Sequence, residues 1–496
     1  MKKLMLLLAP ALMWPAAASA EWRKASSEHF IVYGDVPEAG LRAFTEELER
    51  FDHLLRVVTK VARPPSLRKL TVYVVENDER LRRLTGTGGT AIAGMYSKPI
   101  EGARAIVPFK KTSSNSWGLE GVEILRHEYA HHFMWQHAPA PYPAWYSEGF
   151  ADYYSTARFT DPQTAIVGAA AKSRAMVIRH QGYVSWPQIL TYGTNEVNFG
   201  AMALYSQGWM LVHAMATNRE LRTKINVYLD AIGQGRGPAD AYKAGFGETS
   251  YLEDTMREYA KKTELGALQL KLRAAPAPLI AMSPLGAAEN ALLDLTIKLN
   301  YAREPKRIAA VASDVAQRAA AFGSDPYALE LAARAATAAK DHKGAVSAAD
   351  RLLKAVPGSS AGLLLKGLAL SAEAEGKKDP KSPLWREARS LIVKANAADP
   401  DNPHILFAYY RTFPAQGAAP PGYAVDALNR AFELYPQNDE VRLAVAGDFE
   451  RRERFADALA VLKPLAHDPH RSEKEGELAS MLKRLQEATT KATAKP

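Results

Sequence analysis

Prolines at positions 326, 357, 400, 436 and 469 punctuate the C-terminal part of this chain at intervals of 31, 43, 36 and 33 residues, within a stretch rich in Ala and Leu at helical spacing. This recurrence constrains the fold more than any other feature. A single helix pair, recurring about every 34 residues, cannot bury its apolar face alone, so neighbouring pairs must stack. Twelve residues before three of those prolines stand Ala345, Ala388 and Ala424, small side chains that let neighbouring helices approach closely. The longest interval holds an insertion from Gly376 to Pro383, and the last unit slips register, with Asp457 where alanine is expected. The pattern predicts three repeats and one or two divergent flanking helix pairs.

The stretches Lys343 to Pro357 and Tyr423 to Pro436 resemble the second helix of the tetratricopeptide (TPR) repeat. That resemblance implies an all-α, TPR-like domain over 275–488 whose concave face binds a peptide or protein. The polar segment 489–496 is expected to be a disordered tail.

The other end of the chain reads differently. Lys2 and Lys3, an apolar run from Leu4 to Trp14 and the small residues Ala18-Ser19-Ala20 form an export-signal pattern over 1–20. The mature protein is therefore expected to begin near Glu21, to be periplasmic in a bacterial envelope or secreted, and to be soluble after cleavage. No later stretch is apolar enough to serve as an integral membrane segment. There is no cysteine, so stability must come from packing, and 496 residues suffice for two or three domains. Removing Lys2 and Lys3 takes the formal net charge from +9 to +7. So small an excess, spread along the chain and without a nucleic-acid motif, points away from nucleic acid as a partner.

Between these parts, residues 21–270 mix strand and helix patterns. His29 to Tyr33, Leu70 to Val75 and Ala103 to Pro108 read as strands, the last placed at an edge by its proline. Residues 160 to about 265 read as mostly helical. Two further helices, Gly121 to Gln136 and Pro143 to Thr156, carry the chemistry. The first contains His127-Glu128-Tyr129-Ala130-His131, which sets two imidazoles on one helix face and a carboxylate beside them. A catalytic zinc takes three protein ligands, and Glu148, 17 residues beyond His131 on the returning helix, is the best third donor. Asp152, one turn further, is placed to orient a ligating histidine; its alternative is a helix-surface carboxylate. Gly149 and Ala151 are small enough to let the two helices meet closely. His132, a quarter turn from His131, is structural or solvent-facing.

The motif HExxH followed by Pro143-x-Trp145-x-x-Glu148-Gly149-x-Ala151-x-Tyr153 resembles the gluzincin superfamily, in particular the peptidase MA-like proteins. The likeness covers roughly 21–265 and includes Ala93-Gly94-Met95-Tyr96 and Tyr205-Ser206-Gln207-Gly208-Trp209. It implies an α+β, zincin-like metallopeptidase domain with a mixed sheet packed on the active-site helix. By the same resemblance His127, His131 and Glu148 hold Zn2+, Glu128 is the general base, and the strand near 103–108 pairs with an extended peptide. Related zinc peptidases stabilise the oxyanion with a downstream Tyr or His. Here that is Tyr205, whose alternative is core packing beside Trp209, with His213 as the fallback. The expected function is an exported zinc peptidase whose TPR part recruits substrate or partner. The competing expectation is a non-catalytic envelope interaction protein with a structural zinc, and other divalent ions suit the same donors.

Overall fold

Among the N-terminal strands, Phe30–Gly34 shows most plainly the alternation of Val, Ile, Phe and Tyr between a buried and a half-buried side. These strands are β1 (Arg23–Ser26), β2 (Phe30–Gly34), β3 (Leu70–Asn77), β4 (Met95–Ser97) and β5 (Arg104–Lys110). The computed structural model describes residues 21–61, 68–88, 94–110, 121–137, 140–191, 201–272, 277–466 and 475–493. The export segment expected over 1–20 lies outside them. Among the described residues no helix is long and apolar enough to cross a membrane.

Three parallel strands form the centre, with β2 beside β3 and β3 beside β5. Antiparallel β4 flanks β5 on one side and antiparallel β1 flanks β2 on the other. The edge expectation for 103–108 therefore needs correction: the three-residue β4 holds the edge, and β5 is second in the sheet. Pairing of β4 stops at Met95 opposite Ile106, so Pro108 lies beyond it, on the part of β5 that pairs with β3 alone, opposite Val75.

A second departure is a three-stranded sheet that brackets the segment expected to be mostly helical. A tight hairpin, β6 (Arg158–Asp161) and β7 (Thr164–Val167), is joined by β8 (Leu268–Lys271). Then β9 (Ala281–Pro284) pairs with β1 and completes the first sheet. The division expected between 270 and 275 thus falls before the last strand of the N-terminal sheet.

The sheet buries both faces. Phe30, Val32, Val72, Val74, Ala105 and Val107 meet the Glu38–Thr59 and Gly121–His137 helices. On the other side Tyr73, Val75 and Ile106 meet the Asp78–Thr85 helix and Leu293 and Ile297 of the Ala287–Tyr301 helix.

From Ala287 the chain is a series of helix pairs joined by short turns, which makes each pair antiparallel. Five pairs precede a final helix, Glu475–Thr493, among the described residues. Ala345, Ala388 and Ala424 are fully buried on the second helices of their pairs. In the slipped unit Ala458 takes the buried place, and Asp457 turns to pair with Arg454. The tail expectation also changes: the final helix continues through Thr493, anchored earlier by buried Leu478 and Leu485.

This array is not a separate module. Near its start Asp294 takes both Arg80 guanidinium nitrogens and the Trp22 indole N–H. Near its end Asn438 donates to the Lys98 carbonyl, Asp439 pairs with Lys98, and Arg442 lies 5.4 Å from the Trp135 ring centre. The middle pairs therefore bridge over the second face of the sheet.

Candidate metal centre

The Gly121–His137 helix forms because Leu125, Tyr129 and Phe133 recur at one turn and bury against the sheet, leaving His127 and His131 on a different side. The Ala144–Ser155 helix runs back along it. Arg126 joins the two: its guanidinium donates to the carbonyls of Ser155 (3.2 Å) and Ala157 (2.6 Å) and pairs with Glu47.

Three donors converge between these helices. His127 Nε2 lies 3.1 Å and His131 Nε2 3.5 Å from Glu148 Oε2, and the two nitrogens are 3.1 Å apart. Ligands held about 2.0–2.2 Å from one tetrahedral ion stand roughly 3.3 Å from one another. The observed triangle fits one such cation, and the donor set of two imidazoles and a carboxylate suits zinc. Glu148 is fully buried and the His127 side chain is 13% exposed, so the opening lies on the His127 side.

The groups behind the donors fix their orientation. Asp152 Oδ1 sits 2.9 Å from His127 Nδ1, accepting that N–H and leaving Nε2 turned toward Glu148. Ser147 Oγ, 3.2 Å from His131 Nδ1, does the same for the second imidazole. Burial pulls the His127 pKa down, but the carboxylates of Asp152 and Glu148 outweigh it and hold it up at about 10. That negative field is also what draws a cation in.

Arg174 was not legible in the sequence. It grips Asp152 with two hydrogen bonds, Nε to Oδ2 at 2.7 Å and Nη2 to Oδ1 at 3.2 Å. Its guanidinium also lies 4.7 Å from the Tyr205 ring centre. No spacing rule relates the Lys172–Gln181 helix to the motif; only the fold brings them together.

Tyr205, on the Ala201–Thr217 helix, places its ring 6.1 Å from that of His127. Burial raises its hydroxyl pKa, and the charges of Glu148, Glu128 and Asp152 raise it further, so the hydroxyl stays a donor. The approach depends on two glycines. A Cβ on Gly149 would lie 2.3 Å from the Gly208 carbonyl oxygen, and one on Gly208 would lie 2.3 Å from the Trp145 carbonyl oxygen. Gly149 thus serves the contact with the tyrosine-bearing helix, not the contact with the motif helix that the sequence suggested.

Two other histidines are settled by their partners. His213, the fallback for the oxyanion, is buried with both ring nitrogens engaged, Nδ1 with Tyr259 Oη at 2.7 Å and Nε2 with the Gly168 carbonyl at 2.9 Å. It therefore has no ring nitrogen left for a substrate. His132 faces inward: its Nδ1 shares a hydrogen bond with the Tyr96 hydroxyl (2.9 Å), tying β4 to the motif helix, and burial pulls its pKa down to about 3.

If zinc occupies this centre, Asp152→Asn is expected to weaken its binding by about 10- to 100-fold, because an amide no longer supports the His127 N–H with charge. Competition with a chromogenic chelator measures this. Unchanged affinity would remove Asp152 from the site.

No family model and no curated protein matches the chain. Among solved structures, it is similar to a thermophilic TPR protein of Thermus thermophilus, with 20% identity, a TM-score of 0.34, and coverage of 41% of this chain and 100% of that one.

Proposed function

We propose that this chain is an exported, zinc-dependent peptidase. The observation that supports it most is the convergence of His127, His131 and Glu148 within the spacing of one tetrahedral cation, backed by Asp152. A zinc ion held by His127, His131 and Glu148 would supply Lewis acidity. Glu128, next to His127 on the helix, would act as general base, taking a proton from the attacking water and delivering it to the departing amine. The Tyr205 hydroxyl, kept protonated by its surroundings, donates to the carbonyl oxygen as negative charge grows on it. The outer edge of β4 offers its backbone N–H and C=O groups to an extended substrate. The export pattern over 1–20 favours action in a bacterial envelope or outside the cell.

The test pairs the purified protein with Glu128→Ala, comparing metal content by elemental analysis and cleavage of a mixed peptide library by mass spectrometry. Both should hold about one zinc per chain, as a three-ligand mononuclear site requires. Only the native chain should cut at full rate, the variant being slower by about 10²- to 10⁴-fold. Zinc in both without cleavage by either favours the interaction-protein alternative. Absence of metal from both defeats the proposal.

A further inference from the structure

Between the second face of the sheet and the bridging helix pairs lies a cavity of about 1080 Å³. Its floor is a row across three strands, Ile31 beside Thr71 and Thr71 beside Arg104. Its roof comes from first helices of the array, with Leu299, Arg334 and Leu364 facing it. The inner face of the array is therefore turned onto the chain's own sheet, and this cavity is the space left between them.

Arg104 is the unusual group. It is only 9% exposed, its Nε has no hydrogen-bond partner, and the Glu101 carboxylate it pairs with stands 3.7 Å away. A guanidinium removed from water is stable only when its N–H groups are matched, and the chain leaves the Nε–H without a hydrogen bond and Nη2 with one long ion pair. Burial lowers the pKa of Arg104, and the charge of Arg334 lowers it further. Arg334 itself donates to Asn300 Oδ1 at 2.9 Å, which holds its guanidinium at the cavity wall.

The rim carries both signs. Glu101, Asp399 and Asp401 line the cavity with well-exposed side chains, Asp399 paired with Arg68 and Asp401 with Arg430, and exposed Lys69 and Arg303 stand among them. A small inorganic anion would gain nothing from the leucines. A dipolar ligand, with its anionic end inward, its cationic end at the rim and apolar groups between, satisfies all three zones.

We propose that this cavity binds a short peptide with a free C-terminus, its carboxylate against Arg104 and Arg334 and its apolar side chains against Leu299 and Leu364. The carboxylate supplies the paired, charge-assisted hydrogen bonds that a buried arginine lacks. The proposal does not depend on turnover at the metal centre.

Calorimetric titration of the full chain tests it, carried out in the Glu128→Gln background so that no ligand is consumed. The probes are Ala-Leu-Leu, the same tripeptide with an amidated C-terminus, and inorganic phosphate. The free acid should bind saturably, with the amide and phosphate at least tenfold weaker. Arg104→Met, which keeps the length of the side chain, should lose binding of the free acid without a lower melting temperature. If that variant fails to fold, Arg334→Gln, at a partly exposed helical position, should still weaken the free acid severalfold. Equal binding of acid and amide, phosphate binding as tight as peptide, full affinity in a folded arginine variant, or no saturable binding would each overturn the proposal. Because the readout is binding without cleavage, its failure is distinct from failure of the peptidase assay.

Discussion

If His127, His131 and Glu148 hold zinc as proposed, Glu148→Ala should strip the protein of it, leaving less than a tenth of an equivalent under conditions where the native chain is saturated. Two imidazole nitrogens 3.1 Å apart remain in the variant, but the buried carboxylate that closes the triangle is gone. Loss of a supporting residue weakens zinc by about 10- to 100-fold, so loss of a ligand should exceed ~100-fold. The change should also show in stability. At a free zinc concentration 100 times the dissociation constant, the native protein gains about 2.7 kcal/mol from the ion, and a variant that does not bind gains none. Melting curves with and without added zinc, beside elemental analysis, measure both effects. A variant that retains stoichiometric metal and the full thermal shift would mean that Glu148 is not a ligand.

Gly208→Val should destabilise the protein by about 3 kcal/mol or more, the upper range for overpacking, because the obstacle is backbone and cannot rotate away. The Cβ of any side chain there would sit 2.3 Å from the Trp145 carbonyl oxygen, so the Ala144–Ser155 and Ala201–Thr217 helices must separate. Separation moves Tyr205 off His127, so the proposed peptide cleavage should fall more than the folded fraction alone explains. Gly149→Val meets the same helix contact from the other side, and the double variant should cost less than the two singles added together. Urea unfolding monitored by tryptophan fluorescence is a suitable measurement, since Trp145 and Trp209 are both buried beside the contact. A single variant within about 0.5 kcal/mol of the native stability would show that the helices do not meet through these glycines.

What could be read from the sequence was local. His127 and His131, or Glu148 and Asp152, share a face because four residues make one helical turn, and Ala345, Ala388 and Ala424 are small because helix pairs close at those positions. What could not be read depends on distant partners. Arg174 reaches Asp152 from 22 residues away with no periodic relation to it. The strand β8 finds β7 across a long helical segment, and its four residues LQLK carry no signal of pairing. His213 looked available at helical spacing from Tyr205 and Trp209, but its partners, Gly168 and Tyr259, come from opposite ends of that region. For β5 the proline marked the stretch that β4 does not reach, though Pro108 still stands opposite Val75 of β3; the three residues of β4 were too few to announce themselves as the true edge.

The placement of β9 beside β1 has a temporal consequence. These strands exchange register partners from Arg23 opposite Pro284 to Ser26 opposite Ala281, so one of the first ordered segments of the chain waits for a strand made some 260 residues later. A chain that emerges amino-terminus first must hold β1 half paired while the motif helix and everything up to Pro284 are still being delivered. Closing a loop of that length slows folding. The sheet beneath His127, His131 and Glu148 is therefore completed only after these residues have themselves emerged, so the candidate site matures late in the delivery of the polypeptide.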